Sequence, residues 1–90
     1  MAHILVRNLH GTNDNNVPAG YSSWLDFWVA KRGINPDHCR RCSGHTSNLD
    51  GAHVQKVYGD NSWYIVPLCR SCNLTEGYFN VPEEDLIPVR

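Results

Sequence analysis

Four cysteines in two pairs carry the most chemistry in this chain. They are Cys39-Arg40-Arg41-Cys42 and Cys69-Arg70-Ser71-Cys72, separated by 26 residues, and the sequence holds no other cysteine. A Cys-x-x-Cys spacing lets one tight turn aim two sulfurs at a single point. Two such turns supply four thiolates, the donor set of a closed tetrahedral structural zinc site. Single pairs also serve disulfide frameworks and thioredoxin-like redox chemistry. The doubled motif favours zinc, with Cys39, Cys42, Cys69 and Cys72 as the expected ligands. The disulfide or redox alternative predicts that reduction, not chelation, unfolds the chain. His38 and His45 flank the first pair and could each replace a sulfur, but with four cysteines in register they are expected as loop residues.

The elements that must position these sulfurs are readable in part. His3 to Arg7 has the β-branched and apolar character of a short strand. Asn8 to Gly20 is rich in Gly, Asn, Asp and Pro and reads as a loop. Ser22 to Gly33 is the best helix: a serine cap, Asp26 placed for a capping box from Ser23, Lys31 and Arg32 at the negative end, and Gly33 as the stop. Its stripe Trp24, Phe27, Trp28 follows helical spacing and is expected to face the core rather than to stack on bases. Leu49 to Tyr58 and Trp63 to Leu68 read as two strands joined through Gly59-Asp60-Asn61, the second running into Cys69. Asn73 to Glu76 continues as a short helix, which Gly77 weakens and Pro82 bars from extending. The expectation is an α+β fold in which a zinc knuckle, a β-hairpin and a short helix form a treble clef, the second cysteine pair at the helix start, with the N-terminal strand and helix packed on it. It divides a single domain of 1–90 into an N-terminal part (1–34), the zinc unit (35–80) and a tail (81–90). Apolar residues at both ends suggest that the C-terminal stretch pairs with the N-terminal strand.

Composition sets limits. At 90 residues and 41% hydrophobic, the chain is of a size where a hydrophobic core is marginal and a metal helps. The run Ile4-Leu5-Val6 is far too short for a signal peptide or membrane span, so a cytoplasmic, reducing setting without membrane attachment is expected. No small-molecule cofactor motif is evident. The formal charge is −1, and four thiolates around Zn²⁺ (four negative charges against two positive) move it to −3. That is not the basic surplus of a dedicated duplex binder. Arg40, Arg41 and Arg70 nevertheless lie inside the knuckles. They are candidates for nucleic-acid contact, or for simple compensation of the thiolate charge.

Cys39-x2-Cys42, Gly51-Ala52-His53-Val54 and Pro67-Leu68-Cys69-x2-Cys72-Asn73 together resemble the zinc-bearing branch of the HNH nucleases, over about residues 39–76. The likeness is closer to small bacterial proteins with a Gly-Ala-His-Val strand and a Tyr-Ile-Val-Pro-Leu-Cys strand. By position, the resemblance implies His53 as the general base and Asn73 as the helix residue that helps hold a catalytic Mg²⁺ or Mn²⁺, with Asn61 or Asn48 loosely matching the middle polar residue. Ala52 departs from the pattern: it stands where many members carry Asp or His, and alanine cannot ligate a metal. Asp50 is near in sequence, yet regular strand alternation points it to the face opposite His53. Two functions follow. One is a non-catalytic module binding DNA, RNA or a protein through the knuckle arginines and exposed aromatics such as Trp63 or Tyr64. The other is a metal-dependent endonuclease using His53.

Overall fold

Ser23 and Gly33 bracket the main helix, α1 (Trp24–Arg32). In this computed structural model, which describes residues 2–9, 17–46 and 48–89, the Ser23 hydroxyl accepts the Asp26 N–H at 3.1 Å. Gly33, in the left-handed region at φ 82°, donates its N–H to the Val29 carbonyl at 2.8 Å. The first bond satisfies an N–H and the second a carbonyl that a bare helix leaves free at those ends. Phe27 and Trp28 are buried as expected, while Trp24 is half-buried. Trp28 is wholly enclosed, and its indole N–H donates to the Asp85 carbonyl at 2.8 Å. Enclosing one such ring is worth roughly 4–6 kcal/mol by area, which makes Trp28 the main anchor of the helix.

Five strands form an antiparallel sheet in the order β4-β1-β2-β3-β5. β1 is His3–Asn8, β2 Leu49–Lys56 and β3 Trp63–Cys69; β4 is Tyr78–Pro82 and β5 Ile87–Pro88. A second helix, α2 (Arg70–Asn73), follows β3 directly, and a 3₁₀ turn (Glu83–Asp85) separates β4 from β5. The sheet has two apolar faces, each with its own core. One gathers Val6, Val54, Val66, Leu68 and Val81 together with Cys39 and Cys72, so two sulfurs belong to a hydrophobic core. The other packs Phe27 and Trp28 of α1 on Ile65. Gly51 permits the second contact. A Cβ there would stand 2.5 Å from the Leu25 nitrogen and 2.7 Å from the Trp24 carbonyl carbon, so any side chain would collide with the helix backbone.

Several boundaries differ from the sequence reading. The helix opens at the second cysteine pair, with Cys69 as its N-cap, but ends at Asn73 instead of continuing to Glu76. Closing Cys69 and Cys72 on one point winds those residues themselves, and Gly77 at φ 90° then turns the chain into β4. Asn8 is not the first loop residue. It ends β1, is buried, and donates to the carbonyls of Cys72 (3.1 Å) and Thr75 (2.9 Å), tying α2 to the first strand. The expected loop between strand and helix falls mostly at 10–16, outside the described residues. β4 does return to β1, from His3↔Pro82 to Arg7↔Tyr78, whereas β5 crosses to the far edge and pairs with β3. Residues 81–89 are therefore part of the sheet and its core, with Val81, Asp85 and Leu86 all buried. Among the described residues, no helix is long and apolar enough to cross a membrane.

Candidate metal centre and adjoining cleft

The first knuckle is a short reversal closed by backbone bonds. The Cys39 N–H donates to the Gly44 carbonyl (3.0 Å) and the Ser43 N–H to the Cys39 carbonyl (2.9 Å), and His38 and His45 face each other in an isolated antiparallel bridge. Ser43 accepts a left-handed φ of 63° to complete it. The Arg40 N–H reaches the Pro67 carbonyl at 3.0 Å, which fixes the knuckle to β3 just before Cys69. The second pair lies on the start of α2, with Cys69 at its N-cap and Cys72 within it.

These two turns bring the four sulfurs together. The Sγ atoms of Cys39, Cys42, Cys69 and Cys72 all lie within 4.8 Å of one another. All four are free thiols, and Cys42 and Cys69 stand 3.9 Å apart. A zinc–sulfur bond of about 2.3 Å gives a tetrahedral edge of about 3.8 Å, against a disulfide bond of about 2.05 Å. The cluster therefore has the dimensions of a tetrathiolate site, and the four cysteines could hold a zinc ion. Peptide N–H groups already point at the sulfurs, Arg41 at Cys39 and Gly44 at Cys42, each at 3.4 Å.

Electrostatics agree with a site built for a cation. Burial pushes the Cys39 thiol up, but hydrogen bonds from the Cys42, Cys69 and Arg41 backbone outweigh it and bring the group down to about 7. Burial pushes Cys72 up to about 12; Arg41 opposes this, and the crowding of the other three thiols adds to it. A divalent ion relieves that crowding directly. His38 and His45 stay out of the sulfur cluster. The His38 ring lies 2.8 Å from the Asp37 carboxylate and 3.0 Å from the Arg40 guanidinium.

The three knuckle arginines have different surroundings. Arg40 is not at the surface: its side chain is 5% exposed and its Nε lies 2.7 Å from Asp85 Oδ2. The sequence placed it for phosphate contact, but a cation enclosed beside a carboxylate 45 residues away is already neutralised. Arg41 is exposed, 3.7 Å from Cys72 Sγ, and its guanidinium lies over the Phe79 ring at 5.3 Å. Arg70 is exposed at 79%, with Asp50 3.5 Å away. Of the aromatics, Trp63 is 38% exposed, but Tyr64 is buried. Its hydroxyl donates to the Asp60 carboxylate at 3.0 Å, and Lys56 covers its ring at 5.1 Å.

Beside α2 lies an open cleft of about 480 Å³, bordered by Ser22, Trp24, Asp50, His53, Arg70 and Asn73 among others. His53 is 5% exposed, with its ring edge-on to Trp24 at 4.8 Å between centroids. Its Nε2 is buried without a hydrogen-bond partner among the described residues, and burial lowers its pKa, favouring the neutral imidazole. Asn73 donates to Asp50 Oδ2 at 3.2 Å. The register does put Asp50 (opposite Leu68) and His53 (opposite Ile65) on opposite faces of β2, as alternation requires. Yet both border the same cleft, together with residues of α1 and α2. Ala52 is 2% exposed within the sheet core, and Asn48 and Asn61 do not border the cleft. No signal in the sequence marks Asp50 or Arg70 as its neighbours, since strand alternation argues against one and charge alone places the other.

Comparison of the chain with protein-family models, with curated proteins and with solved structures finds no match.

Proposed function

We propose that this chain is a zinc-stabilised treble-clef module of HNH-like type that binds nucleic acid beside its metal centre without cleaving it. The observation that carries the reading is the convergence of four thiols within 4.8 Å, two from a knuckle and two from the start of a helix that follows a β-hairpin. That order of elements supports the treble clef. Zinc binding to such a site contributes on the order of 10 kcal/mol, comparable to the net stability of a whole small domain, so the ion is structural. Arg41 and Arg70 supply cationic groups for phosphate, and Trp63 a partly open ring for stacking. Hydrolysis is disfavoured by Ala52, which offers no ligand atom.

A second reading, a metal-dependent endonuclease, is favoured by one specific contact. Asp50 and Asn73 hydrogen bond to each other on the cleft that His53 also borders, so Asp50 offers the oxygen that Ala52 lacks. A neutral His53 with an unpaired Nε2 has the form a general base requires. Native mass spectrometry of the purified protein, with and without Mg²⁺ or Mn²⁺ and a short DNA or RNA strand, separates the two. One zinc per chain and an intact bound strand support the module. A second weakly held ion with a shortened strand makes it an enzyme, and a protein with no zinc, or no affinity for either nucleic acid, overturns the proposal.

A further inference from the structure

Accessibility divides the four sulfurs sharply. Cys39 and Cys72 are 0% and 3% exposed and belong to the hydrophobic core, whereas Cys42 is exposed and Cys69 is half-buried. The two accessible cysteines come from different knuckles, and their Sγ atoms are 3.9 Å apart. Gly44 keeps the Cys42 sulfur uncovered: a Cβ at that position would stand 3.3 Å from it. Thiolate oxidation follows nucleophilic character and access to solvent. We infer that Cys42 and Cys69 form an oxidation site, at which a peroxide converts the zinc-bound pair to a disulfide and expels the metal.

This inference rests on the zinc reading above. The Cys42 thiolate attacks one oxygen of hydrogen peroxide, breaking the O–O bond, to give a sulfenic acid and hydroxide. The Cys69 thiolate then attacks the Cys42 sulfur, the S–S bond forms, and a second hydroxide leaves. Two thiolates lose two electrons and the peroxide gains them. Cys39 and Cys72 are left as two ligands, too few for a closed zinc site, and each takes up a proton as Zn²⁺ departs. The pair must close from 3.9 Å to a bond of about 2.05 Å. The exposed knuckle turn at Cys42 can yield to allow this.

Trypsin puts each cysteine in a different peptide: Cys39 in 33–40, Cys42 in 42–56, Cys69 in 57–70 and Cys72 in 71–90. The reduced protein is first weighed by native mass spectrometry, then treated with one equivalent of hydrogen peroxide. Zinc release is followed with a chromogenic chelator, and the non-reduced digest is mapped. The expected result is loss of zinc in step with a cross-link between 42–56 and 57–70, reversed by dithiothreitol and added zinc. Gly44→Ala, which keeps the N–H donor but covers the sulfur, is expected to release zinc several-fold more slowly. Cys42→Ser, if it still holds zinc, is expected to resist peroxide. Zinc held but not released, a cross-link through 33–40 or 71–90, or an unchanged rate in Gly44→Ala overturns this inference and leaves the zinc reading standing. A reduced protein without zinc overturns both.

Discussion

Arg40 and Asp85 form an enclosed ion pair at 2.7 Å, with side chains 5% and 8% exposed, and through it the first cysteine knuckle is bolted to the turn between β4 and β5. Arg32 approaches the other carboxylate oxygen at 3.0 Å, and the Arg40 guanidinium lies 5.3 Å from the Trp28 ring centroid. One carboxylate thus gathers α1, the knuckle and the C-terminal strands.

Removing either partner leaves the other desolvated and unpaired, which costs about 3–5 kcal/mol for a buried pair. Asp85→Ala is expected at the upper end of that range, because Arg40 then has no counter-ion. Arg40→Ala should fall lower, since Arg32 still faces Asp85. Urea unfolding of zinc-loaded protein measures both, and a loss under 1 kcal/mol for Asp85→Ala would show that solvent reaches the pair.

Zinc affinity should fall steeply as pH is lowered. Each thiolate must lose its proton to bind, so up to four protons compete with one ion. The competition is strongest for Cys72, whose thiol is pushed up to about 12, and mildest for Cys39 at about 7. Competition titrations with a chelator between pH 8 and pH 6 should show the apparent affinity dropping by more than tenfold per pH unit. A slope near zero would mean the thiols are not the ligands.

His53 has its own pH signature. Burial depresses its pKa below the ordinary 6.5, so the unfolded chain takes up the proton first as pH falls. The stability gained by keeping the ring neutral is complete above pH 6.5 and is lost as pH drops below that value toward the folded-state pKa. His53→Phe removes the titration while keeping an aromatic beside Trp24. The difference in unfolding free energy between parent and variant should shift in the variant's favour on going from pH 7 to pH 5. No shift between those pH values would mean the ring is solvated.

Gly51→Ala tests how closely α1 lies on β2. A methyl group 2.5 Å from the Leu25 nitrogen forces helix or strand to move, an overpacking cost of about 1–3 kcal/mol. Tryptophan fluorescence should shift as the Trp24 and Trp28 surroundings open. An unchanged spectrum and midpoint would place the helix farther from the strand.

What the sequence disclosed was what short range determines. Ser23, Asp26 and Gly33 announce the ends of α1 because caps are formed within a few residues of the positions they serve. The cysteine spacing announces the sulfur cluster, since each turn is local and only the pairing of turns is not. Arg40 gave no such notice. Its partner lies 45 residues on, and beside a second arginine in a thiolate knuckle it looks like a surface cation. Tyr64 and Trp63 are neighbours with opposite fates, decided by which side of β3 each occupies. The cleft was hidden for a related reason: alternation separates Asp50 from His53 across the sheet, yet both border a cleft that α1 and α2, distant from each other in sequence, help to line.

The strand order also bears on synthesis. β1 is made first but is interior in the finished sheet, and its partner on one side, β4, begins 70 residues after β1 ends. At about 5–20 residues per second, a ribosome takes roughly 4–14 s to produce that partner. Through that interval Ile4, Leu5 and Val6 present an unpaired apolar edge, which invites chaperone capture or mispairing with another nascent chain. The sheet cannot close before residue 88 is made, so this unit completes its folding late, with its first strand waiting for nearly its last.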